Sequence, residues 1–252
     1  MINIVEINKT FNKNTVKEHK AIDNLSLKIE EGDFVVIVGG NGAGKSTLLN
    51  SLAGDFIVDS GKIEISETDV TKLANYKRAK YISRVFQDPM KGTSPRMTIL
   101  ENLAISSRRC RKSTLKFGMN KSSVDYFINQ LSILNLGLEN RIHTEIGALS
   151  GGQRQAISLL MATMTNPKLL LLDEHTAALD PQMQKRIMEL TDRIVKEKKL
   201  TTLMITHNLK DAIKYGNKLI ILSNGKVAKL INEHEKEKLT SSELYKMMEE
   251  LN

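Results

Sequence analysis

Three short segments of this chain carry residue types whose spacing can do chemistry. In Gly39-Gly40-Asn41-Gly42-Ala43-Gly44-Lys45-Ser46, glycines surround one lysine and one serine. Glycines let backbone N–H groups converge on a polyanion without side-chain collisions, and a helix starting there adds the positive end of its dipole. This is the Walker A spacing: Gly39, Asn41, Gly42, Ala43 and Gly44 form a backbone cradle, and Lys45 is placed to bridge the β- and γ-phosphates of a nucleoside triphosphate. Ser46 is placed to give its hydroxyl to Mg²⁺, and Thr47 to reach the α-phosphate. The second segment, Leu169-Leu170-Leu171-Leu172-Asp173-Glu174, ends an apolar run in two adjacent acids. Asp173 suits a residue that holds Mg²⁺ through its shell, while Glu174, pointing the other way, suits a base that polarises an attacking water. The third, Leu149-Ser150-Gly151-Gly152-Gln153, puts a serine and two glycines where a second helix begins, which makes another anion site.

These segments need a scaffold, and the apolar pattern supplies one. Short β-type runs fall at residues 2–7, 25–29, 34–38, 62–65, 81–86, 169–172, 202–205 and 219–222. The runs at 34–38 and 169–172 are continuously apolar, as expected of central parallel strands buried on both faces. The first two runs alternate and suit an antiparallel flank, as does the stretch 219–230, in which Asn224-Gly225 supplies a hairpin turn. The expected fold is therefore α/β, a P-loop core with a mixed sheet. Between Pro89 and Gly147 strand signals give way to helical ones, starting with the capping-box pattern Thr98-Ile99-Leu100-Glu101, so an inserted helical subdomain is expected there. The expected organisation is a nucleotide-binding core over residues 1–88, a helical subdomain over 89–155, the core continued over 156–230, and a charged, peripheral tail over 231–252 with Met247, Met248 and Leu251 as sparse apolar positions.

Composition bounds the remaining possibilities. The chain has 252 residues, 40% hydrophobic and 26% charged, which excludes wholesale disorder and low-complexity architectures. The longest uncharged stretch of apolar character, 155–167, carries several polar side chains and stops at Lys168, so it does not suit a spanning helix. No signal-peptide pattern opens the chain, and its single cysteine, Cys110, allows neither an internal disulfide nor a cysteine metal site, so an intracellular protein is expected. The net charge of +8 could serve nucleic acid, membrane surface or phosphate ligands, but aromatic residues are only 4%, which leaves few platforms for stacking bases, and no nucleic-acid partner is expected. The basic stretch Arg108-Arg109-Cys110-Arg111-Lys112 reads as a solvated surface.

Leu149-Ser150-Gly151-Gly152-Gln153, with the two motifs around it, resembles the signature of ATP-binding cassette (ABC) ATPases, and the resemblance runs from about Ile2 to Leu230 with each diagnostic element in the family's order. It implies ATP and Mg²⁺ as ligands. Phe11 stands where the family places an aromatic that stacks on adenine, although tyrosine is commoner there. Gln87 matches the Q-loop glutamine that contacts Mg²⁺ and links nucleotide to helical subdomain, and Asp180, in Ala178-Leu179-Asp180, matches the D-loop at a dimer interface. His207, directly after the strand at 202–206, matches the switch histidine on the γ-phosphate. His175 stands where many members have proline, and Ala178 where serine is common. The signature residues Ser150, Gly152 and Gln153 are implied to meet the nucleotide bound by a second copy, head to tail. The segments 97–103 and 173–181 look like one bacterial subgroup of importer ATPases that work at the cytoplasmic face of the membrane with permease subunits and a solute-binding lipoprotein, some of them associated with aromatic amino acids. A cassette ATPase acting as an assembly factor, for instance in iron–sulfur cluster biogenesis, stays open as the alternative. A DNA-repair head domain is set aside, because only about a hundred residues, without sustained heptads, separate Lys45 from Leu149.

Overall fold

The computed structural model describes residues 1–109 and 121–251. Cys110, Arg111 and Lys112, three of the five residues of the basic stretch singled out above, lie outside the described residues. In chain order the elements are β1 (Ile2–Phe11), β2 (His19–Ile29), β3 (Phe34–Gly39), α1 (Lys45–Ala53), β4 (Ser60–Ile65), β5 (Thr68–Asp69), α2 (Asn75–Arg78), β6 (Ile82–Val85), α3 (Ile99–Ser107), α4 (Lys121–Ser132), α5 (Gly151–Thr163), β7 (Leu169–Asp173), α6 (Pro181–Lys198), β8 (Thr202–Ile205), α7 (Leu209–Lys214), β9 (Lys218–Ser223), β10 (Lys226–Ile231), α8 (Glu233–Glu237) and α9 (Ser241–Glu250). They form two compact units, which follow contacts and not the linear segments read from the sequence.

The first unit comprises Met1–Ile82, Lys168–Glu174 and the chain from Lys199 onward. Its larger sheet runs β10-β9-β3-β8-β7, continued by the start of β6 at Ile82. β3 lies parallel to both β8 and β9, and β7 parallel to β8, so the apolar runs at β3 and β7 are interior strands, as their composition demands. β9 and β10 form the expected antiparallel hairpin, whose turn residues Asn224 and Gly225 both adopt positive φ, the combination that a two-residue turn of matching twist requires. A second sheet, β2-β1-β4-β5, is antiparallel throughout. β1 runs four residues past the expected stretch. Bulges between Ile4 and Thr10, with Glu6 at φ 47°, break the strict alternation there, and in the polar continuation Lys9 and Thr10 still pair with β2 while Asn8 pairs with β4. Isoleucine and leucine side chains from both sheets and from α1, including Ile4, Ile37, Leu49, Leu171 and Ile220, share one core.

The charged tail is docked on the first unit through two inward-facing residues. Leu244 on α9 is completely buried, Lys236 on α8 is only 2% exposed, and Met247, Met248 and Leu251 are partly covered. A pattern dominated by charge hid this because a single leucine anchors α9, and because the lysine buries its aliphatic stem along with its ammonium.

The second unit comprises Ser83–Pro167 and His175–Lys198. Its helices carry apolar residues at helical spacing, such as Phe127 and Leu131 on α4 and Ile187, Leu190 and Ile194 on α6. α5 packs on α3, α4 and α6. Thr98 and Glu101 close the expected capping box at the start of α3.

Candidate functional site

Between β3 and α1 the chain wraps a loop that only glycine could build. A Cβ on Gly39 would lie 2.3 Å from the Leu222 carbonyl oxygen, and one on Gly44, which sits at φ 94°, would lie 2.5 Å from the carbonyl oxygen of Ala21. Neither collision could be relieved by a rotamer change, because both partners are backbone. The Asn224-Gly225 turn buttresses the loop from outside, Gly225 N–H donating to the Ala43 carbonyl at 3.2 Å. Lys45 opens α1 and is 6% exposed; its ammonium folds back to donate to the carbonyls of Gly39 and Gly40, each at 2.8 Å. Burial holds that ammonium below the usual lysine pKa, and the nearby Glu174 carboxylate opposes the shift.

A cavity of about 470 Å³ opens in front of this loop. It is lined by Asn41, Gly42, Ala43, Gly44, Lys45, Ser46 and Thr47, together with Phe11, Glu174 and His207, so ten of the residues marked in the sequence converge there. Gly39 lies beneath the loop. Asp173 ends β7, half-buried, paired in register with Ile205. The next residue, Glu174, turns off the strand at φ 46°, a left-handed conformation uncommon for a side chain of this size, while its N–H donates to the Ile205 carbonyl at 3.1 Å. That turn separates the two acids, and the Glu174 Oε1 comes within 2.5 Å of His207 Nε2.

Phe11 stacks edge-on against Phe56, ring centroids 5.3 Å apart, with the Lys9 ammonium near both rings. Two residues missed by sequence reasoning also line the cavity, His19 and Ala21. His19 stands directly across the β1–β2 ladder from Phe11, so the hairpin pairing, once known, would have found it.

The remaining marked residues belong to the second unit. Gln87 is exposed just after β6, on a segment held by Gln155, whose fully buried side-chain amide donates to the Phe86 carbonyl at 3.1 Å. Ser150 caps α5, its hydroxyl accepting from Gln153 N–H while the Gln153 side chain accepts from Ser150 N–H. Gly152 has a packing duty, because a Cβ there would lie 2.2 Å from Met183 Cγ on α6. Asp180 caps α6 by accepting from Met183 N–H at 3.0 Å. His175, the residue in place of proline, is completely buried and its pKa falls to about 4 because burial disfavours the charged ring. Thr191 Oγ already donates to the Ile187 carbonyl, so at 3.0 Å it accepts from His175 Nε2–H; with burial keeping the ring neutral, the tautomer protonated at Nε2 follows.

A glycine cradle at the end of a parallel strand, a lysine at the following helix start and an acid-tipped neighbouring strand define a P-loop nucleoside triphosphatase. Comparisons with known proteins narrow the class. Residues 22–177 match the sequence profile described as ABC transporter. The chain is 44% identical, over 99% of each chain, to a tyrosine transport ATP-binding protein of Clostridioides difficile. It is 34% identical to the methionine import ATP-binding protein MetN of Clostridium tetani, over 90% of this chain and 68% of that one. Among solved structures it superposes on a dimeric ATP-binding cassette in a post-hydrolysis state bound to ADP and Pi, with TM-score 0.78 and 28% identity over 92% of this chain and 99% of the other. This chain belongs to the ABC transporter family, and it is an ATP-binding cassette ATPase. Import ATP-binding proteins for methionine and phosphonates are among its relatives.

Proposed function

We propose that this chain is the nucleotide-binding subunit of an importer, hydrolysing ATP to energise solute uptake through separate membrane permease subunits. The observation that carries this reading is the convergence of Lys45, Ser46, Glu174 and His207 on one cavity at the phosphate loop. Triphosphate oxygens would take the backbone N–H groups of the loop and the Lys45 ammonium in place of the carbonyls it now contacts, while Phe11 faces the base. Glu174 accepts a proton from the attacking water, and His207, now against Glu174, contacts the γ-phosphate and steadies the charge that develops there.

Magnesium fits the donor set. Among the described residues no group of three or more His, Cys, Asp or Glu could hold a metal by itself, whereas the exposed Ser46 hydroxyl and the Asp173 carboxylate are hard oxygen donors of the kind that suit an ion completing its shell with water and phosphate. Ser46, Asp173 and Gln87 would hold it, and when bound it would neutralise charge on the β- and γ-phosphates.

Ser150, Gly152, Gln153 and Asp180 are assigned to the nucleotide of a second copy, in a head-to-tail dimer closed by ATP. Docked on its permease, the cassette would then sit at the cytoplasmic face of the membrane, where ATP is supplied; among the described residues no helix is long and apolar enough to cross a membrane. A solute-binding lipoprotein completes the proposed assembly, and the tyrosine-transport relative supports an aromatic amino acid as the solute. Lys45→Ala is expected to abolish ATP binding and hydrolysis while leaving the fold intact; parental hydrolysis by that variant would overturn the site. Copurification of a tagged chain is expected to recover a permease and a lipoprotein, and a soluble scaffold partner instead would overturn the importer reading.

A further inference from the structure

α8 is a five-residue helix on the outer edge of the first unit, yet it sends a lysine inward. Lys236 is 2% exposed, and its ammonium donates to the carbonyls of Tyr215 and Gly216, the latter at 2.8 Å. Burying an ammonium is costly unless its donors are satisfied, and these two carbonyls are the groups left open where α7 ends. Burial pushes the ammonium down to about 8, with the Glu233 carboxylate opposing.

The loop that Lys236 grips is a junction. On one side it closes α7, which begins at the Asn208 cap immediately after His207. On the other it pins the start of β3: Asn217 N–H donates to the Phe34 carbonyl at 2.9 Å, Phe34 N–H donates to the Asn217 side chain at 2.8 Å, and Lys218 pairs with Asp33 at 2.6 Å. Gly216 lies so close to Phe34 that a Cβ would meet its carbonyl oxygen at 2.3 Å. β3 leads directly into the phosphate loop. The tail is fastened at a second point as well, where Ser223 Oγ donates to the Leu251 carbonyl at 2.6 Å, one residue before the turn whose Gly225 supports Ala43. α9 packs on α7 between these fastenings.

We infer that Lys236 is a positioning residue for ATP hydrolysis, and that α8 and α9 form a strap which fixes α7, and through it His207 against Glu174. Lys236 touches neither nucleotide nor the reacting atoms; it sets the rigidity of the helix that follows the switch histidine. This inference rests on the proposed role of His207.

The test is steady-state hydrolysis by the full-length chain, together with ATP affinity and backbone hydrogen exchange. Lys236→Met, which keeps the stem and removes the donors, is expected to lower kcat about five-fold while ATP affinity stays within two-fold, and to speed exchange of the α7 amides about ten-fold. Lys236→Gln, which retains an N–H donor, is expected to recover at least half of the lost rate. If the Met variant does not fold, the Gln variant carries the test, with an intermediate kcat, unchanged affinity and faster α7 exchange expected. A folded variant with parental kcat and parental α7 exchange overturns the inference, as does an equal loss of affinity and kcat, which marks a role in general stability. His207→Ala separates the two readings: parental hydrolysis by that variant refutes the assignment of the switch histidine, whereas its loss together with an unaffected Lys236→Met refutes the strap alone.

Discussion

The phosphate loop and the signature segment are both glycine-containing helix starts, but they are built to opposite rules. The loop after β3 stores open valence: its lysine rests on carbonyls of its own loop, Gly39 and Gly44 sit against the backbone of neighbouring strands, and a cavity lies in front. The signature segment is closed on itself. Ser150 and Gln153 satisfy each other, and Gly152 is consumed by contact with Met183. One surface is incomplete until a ligand arrives, and the other is a finished helix terminus that a ligand must approach. The same residue types therefore announce a binding site in one region and a rigid presenting edge in the other.

The sharpest way to break this contrast is Glu174→Gln, which removes the proposed base from the open region and leaves both helix starts intact. Hydrolysis is expected to fall about 10²- to 10⁴-fold with ATP affinity retained. Because ATP is then trapped, the variant should elute as a dimer with ATP and as a monomer with ADP, in the isolated chain or in the assembled transporter. Parental hydrolysis without dimerisation in either setting would remove both the base and the shared site.

The next effect belongs to the unit that carries the signature segment, and to pH. His175 has a folded pKa of about 4 against an ordinary 6.5, so the unfolded chain binds a proton that the folded chain refuses. Its contribution is fully present above pH 6.5 and is lost as pH falls through 4, by up to about 3 kcal/mol. Denaturant titrations at pH 7 and pH 4 should therefore differ less for His175→Leu than for the parent; an identical difference would show that the ring is not buried neutral.

Smaller still, Gly152→Ala should destabilise the chain by about 1–3 kcal/mol through collision with Met183. In a Met183→Ala background the stability should return. Hydrolysis should not, if the glycine also serves the approach of a ligand; full recovery of both would reduce Gly152 to a packing residue.

How much of this was legible beforehand depended on whether the signal was local. β3, β7 and β8 fell where uninterrupted apolar runs put them, and Thr98 and Glu101 announced α3 through chemistry confined to four residues. The convergence of Lys45, Glu174 and His207 was readable because motif spacing fixes the strand ends from which they project. Long-range facts were not readable. Nothing in the sequence pairs Gly152 with Met183, seats His175 beneath Thr191, or turns Lys236 inward, since each depends on packing between segments distant in the chain. Arg78 is a similar case: completely buried, it donates to carbonyls of Ser51 and Leu52 at the end of α1, a place that its charge alone would never suggest.

The resting position of Lys45 carries one more consequence. With its ammonium already held by the carbonyls of Gly39 and Gly40, the free loop contains its own competitor, and any incoming anion must replace two short hydrogen bonds before it gains the lysine. An isolated sulfate or orthophosphate brings few oxygens to that exchange, whereas a polyphosphate chain engages the backbone N–H row and the lysine together. The loop thereby rewards the number of contacts a ligand makes at once, so that reach counts in its recognition beside charge.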